Sequence, residues 1–331
     1  MATIGILGAG TWGSALAKLL YTNGHAVSLW SAIPAELQIL ETEHRHPKLP
    51  GVKMPDGIRY TASMEEACRG ASLVVFATPS VYIRSVAAAA KPYPEPDAVL
   101  ISVAKGIEPE TFLTMTEVIA EAIGCSEDRL VALSGPTHAE EVSIGLPTAI
   151  VSAGTNPQAA ELVQRTFSND YLRTYTNADV RGVELCGALK NIIALAAGIS
   201  DGIGYGDNAK AAIITRGMVE IARLGAALGC DRATFYGLAG VGDLIVTATS
   251  RHSRNNRAGY LLGAGYTAEQ AVREVGMVVE GLNALPAAIG LSKRCGVEMP
   301  ITAAVDEVVR GVVDPRTAVN RLMNRTYKTE V

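Results

Sequence analysis

Apolar positions fall along the chain in two regimes. In the first half they come as short, nearly unbroken runs at residues 3–7, 26–30, 73–77, 99–104, 130–133 and 148–152. Runs of this kind, spaced by helical segments, predict a parallel sheet covered on both faces. Ser63-Met64-Glu65-Glu66 has the capping-box pattern and opens a helix expected to stop near Gly70. From about residue 180 the strand pattern ends and helical periodicity takes over, at 181–200, 208–228, 255–264, 281–295, 302–311 and 315–323. Glycine clusters at 202–206, 237–242 and 263–265 read as breaks between these helices. The expected architecture is α/β: an N-terminal Rossmann-like, doubly wound and mainly parallel sheet (residues 1–179), followed by an all-α C-terminal domain (180–331).

The first strand runs straight into Gly8-Ala9-Gly10-Thr11-Trp12-Gly13, and a helix is expected over 14–23 with Gly24 as its stop. Strand, G-x-G-x-x-G and helix in that order form a dinucleotide-binding fingerprint. Gly8 permits the tight turn and Gly10 lets the backbone approach a pyrophosphate. Gly13 allows close packing of helix on strand, and the phosphates sit at the helix N-terminus. The end of the second strand reports on the cofactor's ribose, where an acid suits NAD and a base suits NADP. Trp30-Ser31-Ala32-Ile33 offers neither. Without an acid nothing repels a 2′-phosphate, and Ser31 can donate to it, so the reading leans to NADP(H) with NAD(H) open.

Composition narrows the partners. With 331 residues, two domains are expected. A net charge of −4 gives no reason to expect nucleic acid or an anionic membrane, so an anionic substrate needs a local basic cluster. Five scattered cysteines and five histidines without ligand spacing indicate reduced thiols and no metal. His44 and His46 fall in a polar loop and are read as solvated. The first strand leaves no room for a signal peptide and the longest apolar stretch, 192–199, is short of a membrane span, so a cytoplasmic location is expected.

Lys190 lies with Asn191 in a segment apolar on nearly every side, 185–194. A helix of that kind is buried. Desolvation lowers an amine's pKa towards the range of a proton donor and acceptor, unless the side chain snorkels to solvent. Asp243, in Gly240-Val241-Gly242-Asp243-Leu244, either orients a lysine or binds a substrate hydroxyl, or is an exposed turn residue. Ser253 is a credible N-cap, and Arg254 beside free helix amides makes a phosphate site; a solvated helix start is the alternative. Lys105-Gly106 and Ser134-Gly135-Pro136-Thr137 end two strands on the edge where such sheets bind ligands.

Together these segments resemble the NAD(P)-dependent glycerol-3-phosphate dehydrogenases of the bacterial type. The likeness spans essentially the whole chain. It rests on Gly8–Gly13, Lys105-Gly106, Ser134–Thr137, Leu189-Lys190-Asn191, Thr215-Arg216-Gly217, Ala239–Leu244, Ser253-Arg254-Asn255 and Val278-Val279-Glu280-Gly281, in order. The resemblance implies reduction of dihydroxyacetone phosphate to sn-glycerol 3-phosphate with NADP(H) or NAD(H), feeding glycerolipid synthesis. Lys190 would be the general acid and base, supported by Lys105, Asp243, Asn191 and Thr247. Gly135, Thr137, Ser253, Arg254 and Asn255 would hold the substrate with Lys105, Lys190 and Asp243. Gly8, Gly10, Thr11, Trp12, Gly13, Ser31, Lys105, Ala139, Arg254, Val278 and Glu280 would line the cofactor. The chain departs from the family pattern at Ala32-Ile33, where a basic residue or His is usual, and at Lys48, where an aromatic is usual. A β-hydroxyacid or ketopantoate-type dehydrogenase is the alternative enzyme, and a non-catalytic nicotinamide sensor the alternative class. The helix-rich half leaves room for a homodimer interface.

Overall fold

Alternate residues of the apolar strands divide between two cores. Ile4, Ile6, Leu73, Val75 and Ile101 belong to one, while Leu7, Val74, Phe76 and Leu100 belong to the other. That is the two-residue period of a sheet buried on both faces. The computed structural model describes every residue except Lys328 and Val331. It divides into two units, Met1–Glu108 with Leu113–Glu184, and Pro109–Phe112 with the chain from Leu185 onward.

The first unit holds eight strands: β1 (Thr3–Leu7), β2 (Ala26–Trp30), β3 (Arg59–Thr61), β4 (Leu73–Phe76), β5 (Val99–Ser102), β6 (Leu130–Ser134), β7 (Thr148–Ala153) and β8 (Leu172–Asn177). They form one sheet in the order β3-β2-β1-β4-β5-β6-β7-β8. Every neighbouring pair is parallel except β6 and β7. The order reverses between β1 and β4, which is where sheets of this type bind ligands beyond their carboxyl ends. Its helices are α1 (Thr11–Thr22), α2 (Pro34–Glu43), α3 (Met64–Cys68), α4 (Ile83–Ala90), α5 (Met115–Ile123), α6 (Ala139–Ser143) and α7 (Pro157–Phe167).

Several local expectations are revised. β3 has three residues, too few to show a pattern, and β8 is a half-exposed strand with the polar sequence Leu-Arg-Thr-Tyr-Thr-Asn. α1 begins at Thr11 inside the fingerprint, three residues earlier than apolar periodicity suggested. Ser63 does cap α3, but Glu66 turns to the Thr61 hydroxyl at 2.7 Å, so only half of the capping box forms. His46 is buried rather than solvated, its loop folding back so that Leu49 and Val52 pack on Trp12 and Ala15 of α1.

The chain continues with α8 (Val180–Ile203), which crosses from the first unit into the second, then α9 (Asp207–Ala227), α10 (Arg232–Phe235), α11 (Asp243–Thr249), α12 (Arg254–Gly263), α13 (Ala268–Val275), α14 (Glu280–Cys295), α15 (Pro300–Val309) and α16 (Pro315–Met323). Two glycines read as breaks lie inside helices instead. A Cβ on Gly202 of α8 would come within 2.1 Å of the Tyr260 carbonyl, and one on Gly263 of α12 within 2.2 Å of the Ile199 carbonyl. Gly198 and Gly259 are equally tight, against Asn256 and Leu195. The two helices therefore touch backbone to backbone. α8 is long and apolar enough to cross a membrane, yet the whole of its apolar window is buried in the protein.

Glu184, on the part of α8 that belongs to the first unit, is a buried carboxyl tied to the start of α5. It accepts from the Thr116 amide at 2.9 Å and the Thr116 hydroxyl at 2.5 Å. Burial outweighs these bonds and pushes its pKa up to about 7. The fold therefore keeps a proton that the unfolded chain has already lost. The resulting stability is present in full below the carboxylate's ordinary value and disappears as pH rises through about 7. Glu184→Gln should gain on wild type by up to roughly 3 kcal/mol between pH 5 and pH 8. Urea denaturation of both proteins at the two pH values checks this, and a pH-independent difference contradicts it.

Candidate active site

In the first unit the site is made of backbone. Gly8 has φ +129°, and a Cβ there would meet the Ala77 carbonyl carbon at 2.7 Å, beyond the end of β4. A Cβ on Gly13 would stand 1.9 Å from the Gly8 carbonyl, so α1 can rest on the turn only without one. Gly10 differs: a Cβ there would meet nothing within 4 Å, and no side chain caps the helix that starts after it. Open space above uncapped amides at a helix N-terminus suits a pyrophosphate. Thr11, Trp12 and Gly13 supply that first turn, and Ala139 opens α6 against Trp12 and Ala15.

On the same carboxyl edge, Lys105 follows β5 and donates to the Gly135 carbonyl at 3.0 Å. The Thr137 hydroxyl donates to that carbonyl at 3.2 Å. Three residues singled out from sequence thus meet at one backbone oxygen. Ser31 is buried and its hydroxyl donates to Glu36 at 2.8 Å, a partner that sequence reasoning did not name. The two are five residues apart, and only the turn into α2 brings them together.

The second unit supplies side-chain chemistry. Lys190 does not snorkel: it is 5% exposed, and its amine donates to Asp243 Oδ1 at 2.5 Å and Thr247 Oγ1 at 2.5 Å. Nor is Asp243 an exposed turn residue, being 1% exposed in the first turn of α11. There the helix dipole favours its charge. Asp243 and Thr247 are four residues apart, hence on one face, and Thr247 also donates to Asp243 at 3.3 Å. Residues 238–242 form a π-helical turn, closed by a Gly242 amide bond to the Gly237 carbonyl at 3.2 Å. Gly240 is required within it, because a Cβ would lie 2.0 Å from the Phe235 carbonyl.

Ser253 caps α12 as expected, accepting from the Asn256 amide at 3.1 Å. Arg254 is exposed at the first position of that helix. Asn191 and Asn255 form a buried relay: Asn191 donates to the Gly187 carbonyl, Asn255 donates to Asn191 at 2.8 Å, and the Gly281 amide donates to Asn255 at 2.9 Å. Asn255 thereby ties the start of α12 to the start of α14, where Glu280 is the first helical residue and Val278 lies just ahead of it. Spacing could not have shown this, since the three residues lie on three helices.

Two family models match the chain: NAD-dependent glycerol-3-phosphate dehydrogenase N-terminus over residues 3–160, and its C-terminus over 179–320. A protein from Lactobacillus delbrueckii subsp. bulgaricus named glycerol-3-phosphate dehydrogenase [NAD(P)+] 2 is 54% identical, the alignment covering 100% of this chain and 99% of that one. A Geobacillus kaustophilus protein named glycerol-3-phosphate dehydrogenase [NAD(P)+] is 50% identical over 100% and 97%. The crystal structure of glycerol-3-phosphate dehydrogenase from Coxiella burnetii superposes with a TM-score of 0.93 at 35% identity, over 98% of this chain and 99% of that one. A ketopantoate reductase from Ralstonia eutropha shares the fold at a TM-score of 0.60 and 18% identity, over 96% and 99%.

The buried ion pair yields a stability test. Removing one member leaves a charge without its partner in a dry setting, so Asp243→Ala should cost about 3–5 kcal/mol. Adding Lys190→Met should restore most of that, because a buried pair exchanged for apolar groups is close to neutral. Chemical denaturation of the single and double variants measures both, and a double variant as unstable as the single one rejects the account.

Proposed function

The chain belongs to the NAD-dependent glycerol-3-phosphate dehydrogenase family, and from that premise we propose that Lys190, held by Asp243 and Thr247, is the acid and base of its reaction. The enzyme interconverts dihydroxyacetone phosphate and sn-glycerol 3-phosphate with NAD(P)(H). The bound nicotinamide's contribution is a hydride exchanged with C2 of the substrate. In the reducing direction Lys190 passes one proton to the C2 oxygen as negative charge grows there, and in the oxidising direction it takes that proton back.

What supports this role is the Lys190 amine itself, buried and doubly bonded. Two fixed acceptors set its direction, and a positive amine in a dry setting stabilises a developing alkoxide more than water does. Asn191 and Asn255 keep α8, α12 and α14 in register around it. Arg254 and the amides after Ser253 take the substrate's phosphate, a contribution of orientation more than chemistry. Lys105 and Thr137, which meet at the Gly135 carbonyl, are the substrate contacts proposed for the first unit. Gly8, Gly10, Thr11, Trp12, Gly13 and Ala139 hold the dinucleotide on that unit, and Arg254, Val278 and Glu280 are the cofactor residues that the family resemblance adds. The division of labour is a dinucleotide-binding N-terminal domain followed, from about residue 180, by a helical catalytic one.

The product supplies glycerolipid synthesis. Five unbridged cysteines support a reducing, cytoplasmic setting. Exposed Tyr236, Ile245 and Tyr260 support a homodimer through the helical half.

Two variants test the assignment. Lys190→Ala should still bind cofactor while kcat falls on the order of 10²–10⁴-fold; near-normal turnover removes Lys190 from the role. Arg254→Ala should raise KM for dihydroxyacetone phosphate by roughly 10- to 100-fold, the range for a lost charged hydrogen bond. An unchanged KM would place the phosphate clamp elsewhere. Both are read from NAD(P)H absorbance in steady-state assays.

A further inference from the structure

The ribose corner of the dinucleotide site contains an acid that does not stand at the end of β2 in sequence. β2 ends beside the first glycine of the fingerprint: Leu7 is in register with Trp30, and the Gly8 amide donates to the Trp30 carbonyl at 3.0 Å. Ser31 follows, buried. Its hydroxyl accepts from the Ile33 amide at 3.1 Å and gives its one proton to Glu36 Oε2 at 2.8 Å. That proton is committed and is not available to a 2′-phosphate. Glu36 sits in the first turn of α2, half-buried, and among the described residues its second oxygen accepts no hydrogen bond.

The charge bonded to the end of β2 is the Glu36 carboxylate. Ala32 and Ile33 are exposed and carry no charge. His46 is buried with its ring against the backbone of Ala9, within the fingerprint, and within electrostatic reach of Glu36. Burial holds its imidazole below the ordinary value, so at neutral pH it adds no positive charge. Its loop is fixed there by Leu49 and Val52 on Trp12 and Ala15. Among the described residues, Lys48 is the cation whose charge also acts on His46.

We infer that Glu36 reads the adenosine ribose of the cofactor and makes this chain selective for NAD(H) over NADP(H). A free ribose diol offers two O–H donors to a carboxylate that has acceptor capacity to spare. A 2′-phosphate would put a dianion against that carboxylate at a helix start whose positive end Glu36 already serves. This selectivity rests on the dinucleotide-site reading above, and it reverses the preference that the residues at the end of β2 suggest by themselves.

Calorimetric titration of the purified chain with NADH and NADPH tests it without turnover. Wild type should bind NADH at least about tenfold more tightly than NADPH, as expected when one ligand gains a charged hydrogen bond and the other meets a like charge. Glu36→Gln should narrow that ratio by roughly tenfold, weakening NADH and strengthening NADPH. Lys48→Ala should leave the ratio within about twofold, since rim charges are worth little. Equal or tighter NADPH binding by wild type overturns the inference. So does an unchanged ratio in Glu36→Gln, or loss of NADPH binding in Lys48→Ala. Failure to bind either cofactor, or to oxidise either with dihydroxyacetone phosphate, would instead strike the enzyme reading itself.

Discussion

The backbone approach of α8 and α12 is the constraint on which the catalytic half depends. Gly198 and Gly202 on one helix and Gly259 and Gly263 on the other are each spaced four residues apart, so each pair lines one face. Where these glycines would carry Cβ atoms, the partner helix places carbonyl oxygens and amides. Helices this close have little freedom to slide, because any side chain at the crossing would have to displace backbone. Lys190 lies two turns before the α8 crossing, and Arg254 stands one turn before the α12 crossing. Their relative positions are thus inherited from backbone geometry, and the Asn191–Asn255 bond secures it with a polar contact. The four glycines lower the intrinsic stability of both helices. That loss is offset by contact with a partner that larger residues could not reach.

With the scaffold fixed, the Lys190–Asp243 pair needs a different justification. A salt bridge removed this completely from water is not a strong source of stability, since desolvating both ions consumes most of their attraction. An apolar pair of similar size would hold α8 to α11 as well. What only an ion pair provides is an amine of fixed direction in a dry setting, and the Thr247 hydroxyl adds a second fixed bond. The π-helical turn at 238–242 has the same logic. It is a departure from regular helix that lets the chain enter α11 with Asp243 already in the first turn, where the dipole favours its carboxylate. The scaffold and the chemistry draw on different residues of the same helices.

How much of this can be read from one chain depends on the range of the interaction. Strand periodicity, the Gly8–Gly13 turn and the Ser253 cap are local, and each is visible because the residues that make it are neighbours in sequence. The burial of Lys190 was equally legible, from apolar residues on every side of it. Its partner was legible only as one of several readings of Asp243. Asp243 lies 53 residues away, in a segment whose glycines suggested an open bend, and one of them, Gly240, proves to be what lets the turn pack against Phe235. Gly202 and Gly263 mislead in the same way. Glycine marks both a chain break and a close helix crossing, and only the opposite helix distinguishes them. β8 was missed because an edge strand with one exposed face can be polar, and His46 because a polar loop that folds back onto a helix buries residues that its composition assigns to solvent.

The case of Glu36 shows why the end of β2 cannot be judged by residue identity alone. The usual rule looks for an acid at the strand's last positions, since a carboxylate there reaches the ribose directly. In this chain the strand ends in Ser31, whose buried hydroxyl turns back to a carboxylate in the next helix. What a ligand meets is the charge at that place, whichever residue delivers it. The helix start, the neutral His46 and the uncharged Ala32-Ile33 turn act together, and changing any one of them would alter what the corner accepts. Reading cofactor preference from such a site therefore means asking which charge is bonded to the strand's end, and here it is the Glu36 carboxylate.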